Sequence, residues 1–179
     1  MLRFAILGHK ATTSPDFSLN DMPGGAGRMD VLCRCINSSF FLSHDLRRNT
    51  ECYLILEGGE PHKTLRFSGE TIRSLNPDER SAGALIKKGL STPAEPEFRK
   101  AADGIAIRSA GLAELLQEFS FAVLDENGES ASNMLPPMSS FLRCRKGMRR
   151  LSEREAWAFR ADRSREFLWQ GPLLSSLRY

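Results

Sequence analysis

The chain has 179 residues and a net charge of +3, from 25 lysines and arginines against 22 aspartates and glutamates. Its 41% hydrophobic and 26% charged content is that of a globular protein, which excludes disorder as the state of the whole chain. The apolar runs are far shorter than the ~20 residues that a helix needs to cross a bilayer, so no membrane partner is expected. The mild positive charge permits an RNA partner without requiring one.

The cysteines and histidines follow no metal-ligand pattern. The sequence contains no Cys-x-x-Cys pair, and its three histidines are scattered. A structural zinc site needs closely paired ligands at set spacings, so no metal is predicted. Unpatterned cysteines and the absence of a signal peptide favour a reducing, cytoplasmic location. The residues concerned are Cys33, Cys35, Cys52, Cys144, His9, His44 and His62.

The first half of the chain alternates predicted strands with a predicted helix. Residues 2–9 (LRFAILGH) form an apolar run typical of a buried strand. A glycine-rich loop leads into a helix that starts at residue 29, and residues 51–57 (ECYLILE) form a second apolar strand. A Gly-Gly turn then precedes a short strand at residues 64–69, so these two strands are expected to pair as a hairpin.

A second helix is indicated by its N-terminal residues. Asn76 is the predicted N-cap, with Pro77 at the first helical position and Glu79 three residues after the cap. Lys87 and Lys88 would then lie near the C-terminal end, where the helix dipole favours cations.

The strand–helix alternation continues after an exposed connection predicted at residues 91–103, which are rich in proline and charge. Residues 104–109 are predicted to be a strand, residues 110–119 a helix, and residues 120–128 a strand that ends in a turn. Strands that alternate with helices predict parallel pairing in a single α/β domain over residues 1–179.

The last fifty residues are harder to interpret from their pattern. Residues 139–150 combine a strand-like start with five positive charges and no acidic residue. Residues 152–166 are predicted to be a helix with Ser152 as N-cap and Glu155 at the capping-box position. Residues 167–179 are predicted to form a strand, a Gly-Pro turn and a short apolar tail.

Residues 24–48 carry the densest group of chemically useful side chains. Three glycines lead into an amphipathic helix, and a polar and basic cluster follows it. The helix has an apolar stripe at the i, i+3, i+4, i+7, i+11 spacing of one buried face. The stripe consists of Met29, Leu32, Cys33, Ile36 and Phe40.

Each polar group at the two ends of this helix has a functional and a structural interpretation. Arg28 and Asp30 could hold a polar ring by donating at one edge and accepting at another, or could form a pair that only orients the loop. His44 and Asp45 could act in acid–base chemistry or could satisfy carbonyl groups at the helix end. Cys33 is predicted to be a core residue.

Ligands of open α/β sheets bind beyond the carboxyl ends of the strands. Two predicted strand exits carry suitable groups, residues 124–128 and residues 167–172. The sequence contains neither a GxGxxG motif nor a P-loop, which argues against a common dinucleotide or ATP site.

Several runs together resemble one family. The segment TTSPDFSLNDMPGGAGRMDVLCRCINSSFFLSHDLRRN, followed by SLNPDERSAGALIKKGL, GIAIRSAGLAELLQE and FAVLDENGES, closely resembles the archaeal tRNA pseudouridine-54 N1-methyltransferases of the SPOUT superfamily. The resemblance covers about the first 130 residues and rests on specific runs such as LCRC and NPDER.

The resemblance implies a homodimeric SPOUT-type (alpha/beta knot) methyltransferase fold with a C-terminal trefoil knot. The enzyme would use S-adenosylmethionine to methylate N1 of pseudouridine in tRNA or a related RNA. Residues 1–90 would form a substrate-facing half and residues 104–179 a cofactor-binding half. Arg28 and Asp30 would be catalytic and would hold the target base. The remaining substrate contacts would be His44, Asp45, Arg47 and Arg48.

The implied cofactor contacts lie in the second half of the chain. They are Leu124, Gly128, Cys144, Gly147, Gly171 and Leu173. The run SSFLRCRKGM departs from the family pattern, because Cys144 and Arg145 stand where small and acidic residues are expected. The family's last knot helix is not matched either, so the C-terminal knot is expected to be incomplete. The alternative function is therefore a catalytically impaired, RNA-binding member of the same family.

Overall fold

The computed structural model describes residues 1–119, 122–124 and 140–143. This part of the chain forms one seven-stranded sheet and three α-helices. In chain order the elements are β1 (Leu2–Gly8), α1 (Met29–Phe40), β2 (Thr50–Leu56), β3 (Lys63–Ser68), α2 (Glu79–Leu90), β4 (Arg99–Ala102), β5 (Ile105–Arg108), α3 (Leu112–Glu118), β6 (Ala122–Leu124) and β7 (Ser140–Arg143). None of the three helices is both long and apolar enough to cross a bilayer.

The sheet is mixed, with the strand order β4-β5-β3-β2-β1-β7-β6. Strand β1 pairs in parallel with β2 and with β7, and β6 pairs in parallel with β7. The pairs β2–β3, β3–β5 and β4–β5 are antiparallel. The predicted α/β class and the predicted β2–β3 hairpin are confirmed, but parallel pairing is limited to one half of the sheet. The turn between β2 and β3 is too short for the crossover that parallel strands need.

The two faces of the sheet are covered by different helices. Because side chains alternate along a strand, Cys52, Leu54 and Leu56 of β2 face α1 and α2, while Tyr53 and Ile55 face α3. All five residues of the predicted α1 stripe are buried, which confirms the spacing argument. The larger core therefore lies between the sheet and the α1–α2 pair.

The predicted start of α2 is wrong by two residues. The N-cap is Asp78, which has an extended backbone and accepts a hydrogen bond from the Ser81 backbone N–H through its carboxylate (2.7 Å). Asn76 instead donates its own backbone N–H to the Ser81 hydroxyl (3.0 Å). A carboxylate is a strong acceptor at the positive end of the helix, so Asp78 takes the capping position. The position of Lys87 and Lys88 in the last turn is confirmed.

The connection predicted at residues 91–103 contains a strand. Residues Arg99–Ala102 form β4, which pairs with β5 at the edge of the sheet. Edge strands carry charged side chains and little apolar alternation, so the residue pattern does not predict a strand here. The strands predicted around residues 122 and 140 are observed as β6 and β7. The predictions for residues 152–166 and 167–179 lie outside the described residues.

Replacing Ile36 by alanine is expected to lower the free energy of unfolding by roughly 2–5 kcal/mol, because a fully buried side chain at the α1–sheet contact leaves a cavity. Val31 lies on the same helix but is only partly buried, so Val31→Ala is the matched control. Urea denaturation measures both variants. Equal losses in the two variants would contradict the packing described for α1.

Candidate functional site

The carboxyl ends of β1, β6 and β7 lie at the same edge of the sheet, because these strands are parallel to one another. From β1 the chain crosses through α1 to β2 on one side, while β7 pairs on the other side. Ligands of open α/β sheets bind beyond the carboxyl ends of the parallel strands, which is this edge. The N-terminus of α1 lies at this carboxyl edge, because α1 follows β1 and leads back to the start of β2.

A backbone contact fixes the glycine-rich loop against the end of β1. Gly27 has a φ of +66°, and a Cβ at this position would lie 1.7 Å from the carbonyl oxygen of Lys10. The backbone N–H of Thr12 also donates to the Ala26 carbonyl oxygen (3.3 Å). Only glycine fits both the left-handed angle and this close approach. The loop therefore places the start of α1 directly beside the residues that follow β1.

Arg28 and Asp30 form a two-bonded ion pair at the start of α1. Arg28 Nε donates to Asp30 Oδ1 and Arg28 Nη2 donates to Asp30 Oδ2, both at 3.1 Å. Arg28 has a left-handed backbone (φ 68°, ψ 36°), which is uncommon for a residue with a side chain. The Asp30 side chain is 9% exposed, whereas that of Arg28 is 44% exposed. The carboxylate thus holds a guanidinium that remains accessible.

A second arginine shares the same carboxylate. Arg34, one helical turn after Asp30, donates from Nη2 to Asp30 Oδ2 (3.1 Å), and its Nε lies 3.5 Å from Glu79 Oε1 at the start of α2. Asp30 therefore accepts three guanidinium hydrogen bonds. Charge-assisted, two-bonded contacts of this kind fix side-chain geometry better than single bonds do. The cluster ties the first turn of α1 to the first turn of α2.

A histidine–glutamate pair lies at the same edge, directly after β1 and β2. His9 Nδ1 is 2.7 Å from Glu57 Oε2. The two residues extend the β1–β2 register, in which Gly8 is paired with Leu56, and the Glu57 backbone N–H donates to the Gly8 carbonyl oxygen. His9 and Arg28 are thus brought into one cluster of loops through the contact between Lys10 and Gly27.

The four other predicted substrate residues lie at the opposite end of α1. Arg28 precedes the first residue of this 12-residue helix, whereas the polar cluster follows its last residue, Phe40. At 1.5 Å per residue the two groups are about 18 Å apart along the helix axis. The structure therefore does not bring Arg28 and Asp30 together with the second group, which comprises His44, Asp45, Arg47 and Arg48.

This second group forms a tight turn against the end of β3. The Leu42 backbone N–H donates to the Asp45 carbonyl oxygen (2.8 Å), and the Arg47 backbone N–H donates to the Phe40 carbonyl oxygen (2.7 Å). Arg48 donates to the Gly69 carbonyl oxygen (3.3 Å). A cavity of about 1030 Å³ opens beside the turn. Its lining includes the cationic side chains of Arg48, Arg66, Arg73 and Lys100.

Of the predicted cofactor contacts, only Leu124 lies within the described residues. It is the last residue of β6 and is paired with Arg143 of β7, so its backbone lies at the edge that holds the carboxyl ends of the parallel strands. The remaining predicted contacts lie outside the described residues. They are Gly128, Cys144, Gly147, Gly171 and Leu173.

Four residues of the carboxyl-edge cluster make ion pairs that were not predicted from the sequence. Arg34 is spaced i, i+4 from Asp30, which is a recognised signal for an ion pair on a helix. His9 and Glu57 each follow a predicted apolar strand, so parallel pairing of those strands would have predicted their contact. Glu79 was interpreted as a capping residue of α2, and its ion pair with Arg34 depends on the packing of α1 on α2.

The fold class is defined by comparison with solved structures. The crystal structure of Archaeoglobus fulgidus Nep1 bound to S-adenosylhomocysteine superposes with a TM-score of 0.53, covering 91% of this chain and 90% of that one. The sequence identity is 12%, so this likeness concerns the fold alone. It shows that the chain shares the α/β fold of that protein.

Sequence comparison then identifies the family. The family model described as "Putative SAM-dependent RNA methyltransferase" matches residues 1–142. The tRNA (pseudouridine(54)-N(1))-methyltransferase of Methanocorpusculum labreanum is 74% identical over 134 residues, which are 72% of this chain and 69% of that protein. The enzyme of the same name from Methanococcoides burtonii is 55% identical over 72% of this chain and 67% of its own length. The chain belongs to this S-adenosylmethionine-dependent RNA methyltransferase family.

Gly27→Ala is expected to destabilise the protein by at least roughly 1–3 kcal/mol, because the new Cβ overlaps the Lys10 carbonyl and a left-handed backbone is strained for alanine. Gly25→Ala is the control, since its Cβ would meet only the movable carboxylate of Asp21. Urea unfolding of both variants provides the comparison. A Gly27→Ala protein as stable as Gly25→Ala would refute the backbone contact.

The buried thiols are expected to resist alkylation at neutral pH. Burial raises the pKa of Cys33 to about 12 and raises that of Cys52 further, so neither forms an appreciable fraction of reactive thiolate in the folded protein. Cys35 lies between them in the chain and is partly exposed, which makes it the internal reference. Peptide mapping after a short iodoacetamide treatment should find Cys35 modified before Cys33 and Cys52. Equal labelling of these three thiols would contradict the burial described here.

Proposed function

We propose that the chain transfers a methyl group from S-adenosylmethionine to N1 of pseudouridine in tRNA, at position 54 or an equivalent position of a related RNA. The observation that carries this proposal is the accessible Arg28 guanidinium, held by the buried Asp30 carboxylate at the carboxyl edge of the sheet. The activity for which relatives up to 74% identical are named supports the same reaction.

The base would be held by the part of Arg28 that Asp30 does not use. Asp30 engages Nε and Nη2, and Nη1 makes no hydrogen bond within the described residues. A guanidinium offers five N–H donors in a plane, and the ring carbonyls of pseudouridine are acceptors. Asp30 would act by orienting Arg28, because its two oxygens already accept three hydrogen bonds.

The cofactor would bind at the carboxyl edge of the parallel strands, where nucleoside ligands of α/β sheets bind. S-adenosylmethionine supplies a methyl group on a positively charged sulfur. Leu124, the last residue of β6, would contact it. The further proposed contacts are Gly128, Cys144, Gly147, Gly171 and Leu173.

The tRNA would extend from the base pocket along α1 to the basic turn at the other edge of the sheet. His44, Asp45, Arg47 and Arg48 lie about 18 Å from the start of α1 by helix geometry, a distance that a structured RNA spans easily. Arg47 and Arg48 are suited to phosphate contacts, which position an RNA without reading its sequence. A knotted C-terminal region, a homodimeric assembly and a cytoplasmic location belong to the same proposal.

Two measurements test this function. In the first, tRNA that contains pseudouridine at position 54 is incubated with the protein and S-adenosylmethionine, and the nucleosides are analysed by mass spectrometry. We expect 1-methylpseudouridine, and no product from tRNA with uridine at that position. In the second, S-adenosylmethionine is titrated calorimetrically. No binding heat at millimolar ligand with a folded protein would contradict the enzyme function and support a non-catalytic RNA-binding role.

Arg28→Lys is expected to lower kcat/KM by roughly tenfold to a hundredfold. Lysine cannot form two hydrogen bonds to Asp30 and also donate to the target nucleobase. The loss of one hydrogen bond to a charged group costs about 1.5–3 kcal/mol, which corresponds to this change in rate. Arg80→Lys is the control, since Arg80 lies on α2 and bonds the Asn20 side chain rather than Asp30. Steady-state methylation of tRNA measures both variants. Unchanged turnover in Arg28→Lys would remove Arg28 from the site.

A further inference from the structure

The His9–Glu57 pair has the arrangement of an oriented base. A carboxylate can only accept hydrogen bonds, so His9 Nδ1 must donate to Glu57 Oε2 at the observed 2.7 Å. In the neutral imidazole this fixes Nε2 as the nitrogen with the lone pair. The His9 side chain is 38% exposed, and within the described residues no other hydrogen bond to it is made. The lone pair of Nε2 is therefore available to a ligand at the carboxyl edge.

His9 lies beside the proposed base pocket. It directly follows β1, whose carboxyl end lies at the same edge as those of β6 and β7. The residue after it, Lys10, contacts Gly27, which is the residue before Arg28. From standard backbone dimensions, the Cα atoms of His9 and Arg28 are no more than about 13 Å apart. Two side chains of this length can contact opposite edges of one nucleobase across such a distance.

The proposed reaction needs a group that accepts a proton. N1 of the neutral pseudouridine ring carries a hydrogen, and its lone pair is delocalised into the ring. We propose that His9, oriented by Glu57, is the general base that removes this proton. The assignment rests on the proposed function. The N1–H bond breaks as its proton passes to His9 Nε2. The electron pair on N1 then forms the bond to the methyl carbon. At the same time the carbon–sulfur bond of the sulfonium donor breaks and leaves a neutral thioether. The imidazolium then loses its proton to solvent.

Within the described residues, two other candidate bases, Asp30 and His62, are already engaged. The oxygens of Asp30 accept three guanidinium hydrogen bonds and its side chain is only 9% exposed. His62, in the turn between β2 and β3, pairs its Nε2 with Glu60 Oε1 at 3.1 Å. Nε2 is therefore engaged in His62, whereas in His9 it is available. His62 also lies on the β3 side of the sheet, away from β7. It is therefore a matched control.

The test compares His9→Gln with His62→Gln in single-turnover methylation of pseudouridine-containing tRNA. Glutamine retains a donor toward Glu57 but has no basic nitrogen, so the rate in His9→Gln should fall by about 10²–10⁴-fold, the usual contribution of a general base. Its tRNA dissociation constant should stay within about threefold of wild type, since only the chemical step is affected. Imidazole in the buffer should restore part of the rate in His9→Ala and none in Arg28→Ala.

A second measurement does not depend on turnover. Nitrogen-15 NMR of the folded wild-type protein at neutral pH should show His9 with a protonated Nδ1 and an unprotonated Nε2, and Glu57→Gln should abolish this preference. The opposite tautomer, or a His9→Gln rate within about threefold of wild type, overturns the role of His9 and leaves the proposed function intact. A wild-type protein that transfers no methyl group at all overturns both.

Discussion

The carboxyl-edge site depends on one backbone contact, the approach of Gly27 to the carbonyl of Lys10. This contact is possible only for a residue without a Cβ in a left-handed conformation. It joins the loop after β1 to the loop before α1, and it thereby places His9 and Arg28 in one cluster. Without it, the two side chains would belong to separate loops with no fixed distance between them.

The ion pairs around Asp30 fix the orientation of the side chains in this cluster. One buried carboxylate holds the guanidinium groups of Arg28 and Arg34, and Arg34 in turn contacts Glu79 on α2. The donor geometry of Arg28 is therefore supported from two helices that pack on the same face of the sheet. Such support matters for methyl transfer, because the target nucleobase must be held within a fraction of an ångström of the methyl donor.

Much of this could be predicted from the sequence, for identifiable reasons. The α1 stripe was found because a helix with one buried face has a strong periodic signal, and Arg28 and Asp30 were found because they stand out beside a glycine-rich loop. Strand β4 was missed because an exposed edge strand such as Arg99–Ala102 has no apolar alternation to detect. The N-cap of α2 was misplaced because Asn76 and Asp78 are both good capping residues, and it is the Asp78 carboxylate that accepts the Ser81 backbone N–H.

The separation of the predicted substrate residues between the two ends of α1 was predicted from the sequence, because the apolar stripe runs from Met29 to Phe40 between them. That these ends lie at opposite edges of the sheet could not be predicted, because it depends on how the strands pair. The helix α1 separates Arg28 from Arg48 by its whole length. The direct test is a crystal structure of the protein with S-adenosylhomocysteine and an RNA stem-loop that contains pseudouridine. The account predicts the target base at the carboxyl edge, with a ring carbonyl about 3 Å from the Arg28 guanidinium and N1 facing His9 Nε2. A target base bound instead beside Arg47 and Arg48 would contradict it.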